Sequence, residues 1–313
     1  VQYRDSDATA IEGDVWYNSS TGKLRMYASL GAWASGGAVP GTGLQGWPGS
    51  AGIQTAALVI AGITSINQSG TYTNESYEYN GTAWGSDAGM NRDTGAYTQG
   101  CGTQTAAVSG GYYRTSPAGT LTVSESYNGS SWTETNATNN AIGIRTGCGT
   151  LTAALEAGGT DVTPTVSAVC ETFDGTNWTE VGDLNTARAA TGQHNGTSTA
   201  SLTIAGVLEF SGPGTLSASV EEYNGTSWTE TTDINTARKG LGGSGTTALA
   251  LVYAGQAPVK ALTESWDGTS WTEVGDLSTA RAAGGSAGTT NTSALQISGE
   301  LGPGYTTATE EWN

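Results

Sequence analysis

The sequence predicts an all-β chain folded as a closed ring of six four-stranded sheets, a six-bladed β-propeller, and three observations carry that reading. A turn phrase ending in tryptophan recurs: "YEYNGTAW" at Trp84, "ESYNGSSW" at Trp132, "ETFDGTNW" at Trp178, "EEYNGTSW" at Trp228 and "ESWDGTSW" at Trp271. The spacings are 48, 46, 50 and 43 residues, in the range of periods that mark propeller-type repeats. Between the phrases lie Gly/Ala/Thr-rich stretches that end in short apolar runs, such as "GIQTAALVIAG" and "GTSTASLTIAG".

Composition agrees. The chain has 313 residues, of which 48 are Gly and 7 Pro, with 36% hydrophobic residues. That is enough apolar material for a core, delivered in short runs between turn residues, as many-stranded β proteins read. The net charge of −17 repels phosphate backbones and anionic lipid head groups, so nucleic acid is excluded as a partner. No apolar run of about 18 residues is present, and no membrane insertion is expected.

Residues 1–27 form a separate amino-terminal segment, ahead of a propeller over 28–313. "DVWYN" and "KLRMY" read as two strands of a hairpin about a Ser-Thr-Gly turn. Within each repeat, Asn-Gly or Asp-Gly between alternating hydrophobics signals a hairpin, here with a type I′ turn and positive φ at both central residues. The Gly-rich stretch and the apolar run supply the other two strands, giving the four of a propeller blade. Glycine suits the first strand if six backbones converge on an axis. The tryptophans suit the gaps between one twisted sheet and the next.

The repeat does not finish where the chain does. "EEWN" ends at Asn313 without its tryptophan. "GAWASGG" around Trp33 supplies it, 51 residues before Trp84. The first and last segments therefore share one blade, the amino-terminal stretch giving its outer strand, and no edge is left unpaired.

A buried strand with Gly-Gly, an aromatic further on, Trp after a turn and then "TAR" at Arg188, Arg238 and Arg281 resemble the kelch repeat. The glycines are paired at Gly110-Gly111 and Gly158-Gly159, and Arg92 and Arg145 sit irregularly. "GDVWYNSSTGKLRMYASLGAW" is similar to segments of bacteriophage tail fibres and other virion appendages. Its fusion to such repeats resembles structural proteins of marine phages. The resemblance implies a non-enzymatic virion protein located on the particle surface or tail, outside the cell. Trp16 and Tyr17 would mark the anchoring segment that meets other virion proteins.

Candidate chemistry is sparse. His194 is the one histidine and reads as a loop residue beside the channel. Cys101 and Cys148 stand where other repeats carry Ala51, Asn195, Ser244 and Ala287, so a small buried residue is expected rather than a bridge or a zinc ligand. Arg188, Arg238 and Arg281 are repeat-equivalent and are expected to pair locally with an acid or carbonyl. Asp183, Asp233 and Asp276 read as turn residues, with a Ca²⁺ site as the outside alternative. No catalytic, cofactor or metal residue is assigned and no cofactor is expected. Tyr72, Tyr112, Tyr113, Phe210 and Tyr305 fall in loops of variable length between second and third strands, where recognition is usually placed. Aromatic faces among Asn, Ser and Thr suit sugars, so the alternative function is a lectin-like adhesin for host polysaccharide. A glycan hydrolase stands third.

Overall fold

The structure, a computed structural model, describes residues 2–4, 15–18, 23–26, 31–40, 46–64, 72–91, 98–115, 118–161, 163, 165–191, 195–209, 214–256 and 258–313. Among these residues all regular structure is strand. The amino-terminal segment is a three-stranded sheet, β1 (Gln2–Arg4), β2 (Val15–Asn18) and β3 (Lys23–Met26). The expected hairpin is present, with Val15 opposite Met26 and Asn18 opposite Lys23. β1 adds to it in parallel, placing Gln2 beside Trp16 and Tyr3 beside Tyr17.

After β4 (Trp33–Gly36), six four-stranded antiparallel blades follow. Blade 1 holds β5 (Gly49–Ile53), β6 (Ala56–Ile63), β7 (Tyr72–Tyr79) and β8 (Trp84–Asp87). Blade 2 holds β9 (Cys101–Thr103), β10 (Ala106–Thr115), β11 (Ala118–Tyr127) and β12 (Trp132–Thr135). Blade 3 holds β13 (Thr146–Thr150), β14 (Ala153–Ala157), β15 (Cys170–Phe173) and β16 (Trp178–Val181). Blade 4 holds β17 (Asn195–Thr197), β18 (Ala200–Val207), β19 (Leu216–Tyr223) and β20 (Trp228–Thr231). Blade 5 holds β21 (Gly242–Gly245), β22 (Ala250–Tyr253), β23 (Thr263–Trp266) and β24 (Trp271–Glu273). Blade 6 takes β25 (Gly285–Thr290), β26 (Ser293–Gly302) and β27 (Gly304–Trp312), and its outer strand is β4. Trp33 lies opposite Trp312 and Gly36 opposite Thr309, so the two chain segments close the ring in one sheet as the sequence implies.

Neighbouring blades are joined in three radial layers. At the rim, the tryptophan opening each outer strand donates its indole N–H to the preceding blade or the crossing that leaves it. Trp132 donates to Ser76 Oγ, Trp178 to Ser124 Oγ, Trp228 to Gly182 O, Trp271 to Thr232 O, Trp84 to Gly37 O and Trp33 to Thr263 Oγ1. Gly110 makes room for one of them, since a Cβ there would stand 2.5 Å from Trp178 Cζ2. Around the axis, small side chains reach across: Ser50 Oγ donates to Ser286 O and Ser244 Oγ to Thr290 O. Cys148 Sγ donates to Thr197 O. All three cysteines are free and buried. Burial pushes the Cys148 thiol up to about 12, so it acts as a small buried donor, as its repeat position suggests.

Two expectations about glycine and turns need correction. Tyr79 pairs directly with Trp84, so the loop between them has four residues, and the same holds in blades 2 to 5. Only the glycine has positive φ, +87° at Gly81, while Asn80 does not. The turn is therefore not type I′. Asn80 opens it, and its Oδ1 accepts the N–H groups of Thr82 and Ala83 at 3.0 and 2.9 Å. The first-strand glycines answer to their own hairpin as well as to crowding at the axis. Gly196 has φ +128°, and a Cβ there would stand 2.1 Å from Ala200 O. Gly147 fits the convergence argument, its Cβ position lying 2.5 Å from Cys101 Sγ of the neighbouring blade.

Candidate functional site

The middle layer between blades is a repeated clip built from the "NTAR" crossing. Asn185 lies on the crossing from blade 3 to blade 4. Its backbone N–H and Nδ2 donate to Glu221 Oε2 at 2.7 and 2.9 Å, and Nδ2 also donates to Trp228 O. Arg188 donates from Nη2 to Glu221 Oε1 at 2.5 Å and from Nη1 to Ser219 O. Its carbonyl accepts the N–H of Gly159 in blade 3. One residue therefore holds the blade behind by its backbone and the blade ahead by its guanidinium. Asn235, Arg238 and Glu264 repeat the arrangement, as do Ser278, Arg281 and Glu310. The local pairing expected of these arginines is observed, and both partners are buried in each case.

Arg145, irregular in sequence, makes the same guanidinium link to the blade ahead. Its Nη2 lies 2.7 Å from Glu171 Oε1, and Asn139 caps Glu171 as Asn185 caps Glu221. Burial works to raise the Glu171 carboxyl, but the Arg145 guanidinium and the Asn139 donors override it and leave it below its ordinary value. In blade 2, Asn91 caps Glu125; Arg92 lies outside the described residues. In blade 1 the position of the glutamate is taken by Tyr77, opposite Ser86.

One gap holds a second buried carboxyl. Glu156 is fully buried in β14, 3.7 Å from Arg145 Nη1 and accepting the Gly110 N–H at 3.0 Å. Burial pushes it up to about 8, since Arg145 is shared with Glu171. Its folded value lies above the unfolded one, so the native state binds the extra proton. Stability is fully present below the unfolded value near 4.5 and declines as pH rises through about 8, by up to ~1.4 kcal/mol per unit. Glu156→Gln, which keeps the shape of the neutral acid, should flatten that decline. Urea midpoints on either side of the window check this.

The Gly-Gly signature becomes a bulge. Ala61-Gly62, Gly158-Gly159, Ala205-Gly206, Ala254-Gly255 and Ser298-Gly299 all have positive φ at both residues near the end of the second strand. The bulge glycine N–H docks the arginine carbonyl of the next crossing: Gly206 to Arg238 and Gly255 to Arg281.

Beyond the bulges lies one mouth of the channel. Here Trp47, Ile144, Ala190, Gly240 and Ala283 share left-handed backbone, φ between +50° and +63°. Their backbones link in series, Trp47 N–H to Ala283 O, Ala283 N–H to Gly240 O and Gly240 N–H to Ala190 O. Trp47 precedes blade 1, yet it packs on Ala189, Ala190 and Val207. Its Cη2 lies 3.5 Å from where a Cβ on Gly240 would stand. The indole therefore spans this mouth, above a pocket of about 40 Å³. A second cavity, of about 200 Å³ among the first strands, is lined among the described residues by Gly, Ala, Ser, Thr and Cys, with no charged side chain.

The predicted loop aromatics divide. Tyr72 begins β7, and Tyr305 lies in β27 opposite Glu300; both are half-buried. Tyr305 covers Gly46, whose Cβ position lies 2.6 Å from its ring. Burial first, then the Glu300 charge, raises the Tyr305 hydroxyl; Gly46 under its ring bridges Ile63, which lies opposite Tyr72 in the adjacent blade. Tyr112 is corrected: it lies in β10, only 2% exposed, because the bulge at Gly110–Tyr112 turns its side chain inward. Tyr113 pairs with Thr120 through its backbone; its side chain, and Phe210 and His194, lie outside the described residues. Trp16 and Tyr17 lie in β2. Asp183, Asp233 and Asp276 are all exposed, and Asp276 accepts the N–H of Thr263 at the start of β23 at 3.1 Å. No group of three or more His, Cys, Asp or Glu among the described residues is placed to hold a metal, and no helix among them is long and apolar enough to cross a membrane.

Six four-stranded blades closed in a ring define a six-bladed β-propeller, a fold suited to binding and protein interaction. Among solved structures the chain is similar to the one titled "Structure of YjhT", also a propeller, with a TM-score of 0.69 and 15% identity over 87% of this chain and 95% of that one. That likeness concerns the fold alone. No family model matches the sequence, and no curated protein does.

Proposed function

We propose that the chain is a non-enzymatic display protein: a kelch-like propeller carried on a phage surface or tail appendage, attached through residues 1–27. The observation that favours a binding over a catalytic role is the distribution of its arginines. Arg145, Arg188, Arg238 and Arg281 occupy four successive interblade gaps, each engaged with its own glutamate. Their charges hold the scaffold rigid and do not converge on one pocket. A rigid ring with loops of unequal length on one face is well suited to recognition.

A second reading, a lectin-like contact with host polysaccharide, is favoured by two half-buried tyrosines at the blade 1 to blade 6 boundary: Tyr305 covers Gly46, which bridges Ile63, the partner of Tyr72. Deleting residues 1–27 should release the protein from particles while the propeller keeps its unfolding transition; continued docking of the truncated chain contradicts the attachment role. Saturable binding on a glycan array, lost in Tyr72→Ala/Tyr305→Ala, would favour the lectin reading. A pure scaffold shows none.

A further inference from the structure

The chain contains four Asn-Gly dipeptides, at Asn80, Asn128, Asn195 and Asn224, and the fold places them in two environments. Asn80, Asn128 and Asn224 open the exposed loops between third and fourth strands. In each, Oδ1 accepts two backbone N–H groups. Thr82 and Ala83 donate to Asn80 at 3.0 and 2.9 Å, Ser130 and Ser131 to Asn128 at 3.0 and 2.9 Å, and Thr226 and Ser227 to Asn224 at 3.0 and 3.0 Å. Asn195 lies in β17, 1% exposed, and neither its Oδ1 nor its Nδ2 has a hydrogen-bond partner among the described residues.

We propose that the three loops are built-in deamidation sites, taking water as co-reactant and converting Asn80, Asn128 and Asn224 to aspartate, while Asn195 is spared. The bond from Oδ1 to the N–H two residues on closes a small ring that contains both Cγ and the following glycine nitrogen, so attacker and target are held together. Glycine has no Cβ to obstruct that approach. Two N–H groups on Oδ1 polarise the amide and stabilise the oxyanion that forms when Cγ is attacked. The glycine nitrogen bonds to Cγ and gives its proton to solvent. The Cγ–Nδ2 bond breaks, and ammonia leaves. Water then opens the cyclic imide, giving aspartate or its β-linked isomer.

Blades 3 and 5 show that the loop accepts the product. They carry Asp174 and Asp267 at the same position, and each Oδ1 accepts the same pair of N–H groups at 2.7 to 2.8 Å. Those donors hold both carboxyls below their ordinary values, the same preference for negative oxygen that the oxyanion needs. Complete conversion adds a negative charge to each of blades 1, 2 and 4, and the aspartate product makes their loops chemically like those of blades 3 and 5.

The test is peptide mapping after the native and the urea-unfolded full chain are aged at mildly alkaline pH. In the native protein the three loop asparagines should convert at least about tenfold faster than Asn195, a modest share of what such donors supply in enzymes. They should also convert no more slowly than in the unfolded chain, where all four behave alike. Native loops that convert more slowly than the unfolded chain, or no faster than Asn195, overturn the proposal. The triple variant Asn80→Asp/Asn128→Asp/Asn224→Asp should unfold at the same urea concentration as the parent, and a clear loss would also overturn it.

Discussion

Arg188→Ala should destabilise the propeller by about 3–5 kcal/mol, because it leaves the Glu221 carboxylate buried and uncompensated. Both side chains are about 1% exposed, so water cannot substitute for the lost guanidinium. The arginine also supplies donors to Ser219 O and Thr186 O, which are lost with it. Replacing both charges by apolar groups, Arg188→Met/Glu221→Leu, should recover much of the loss, since a buried pair exchanged for packing is often neutral. Chemical denaturation of the single and double variants measures both. A single variant as stable as the parent would mean that the clip does not hold blades 3 and 4 together.

Deleting residues 1–36 should be more damaging still, in contrast to deletion of 1–27. The longer deletion removes β4 and with it the ladder against β27. Trp33, whose ring lies 4.7 Å from Tyr253 and 5.5 Å from Trp312, goes with it; truncating such an aromatic alone costs about 3–5 kcal/mol. The exposed edge of β27 then becomes a template for pairing with another chain. The expected result is a lowered thermal midpoint together with concentration-dependent association, read by calorimetry and light scattering.

Most of the architecture is legible in the sequence because it rests on features that recur. The tryptophan spacing counts the blades, and the unfinished "EEWN" with "GAWASGG" locates the closure at Trp33 and Trp312. What escapes is what departs from strict repetition. Arg145 sits out of register with Arg188, yet a long side chain still reaches the equivalent glutamate. The unequal lengths of the segments between second and third strands suggest a loop at Tyr112, but in blade 2 that segment is taken up by longer strands, and a bulge turns the ring inward. Trp47 occurs once, so no repeat announces it; the only signal is that it stands outside the blade pattern to which most of the other tryptophans belong. The asparagines of the clip, Asn139, Asn185 and Asn235, do recur in the crossings. Their partners are a blade away and 29 to 36 residues distant, a separation that spacing alone does not link.

The central claim is that amino- and carboxy-terminal strands share one sheet. In that ladder Ala34 faces Glu311, at a hydrogen-bonded position where Cα atoms of antiparallel strands lie ~5.5 Å apart, within disulfide reach. Under mild oxidation Ala34→Cys/Glu311→Cys should form that bond within one chain, detected by mass spectrometry of linked peptides, and should raise the thermal midpoint reversibly with reductant. Free thiols at both positions under the same conditions, in a chain that remains folded, would contradict the closed ring.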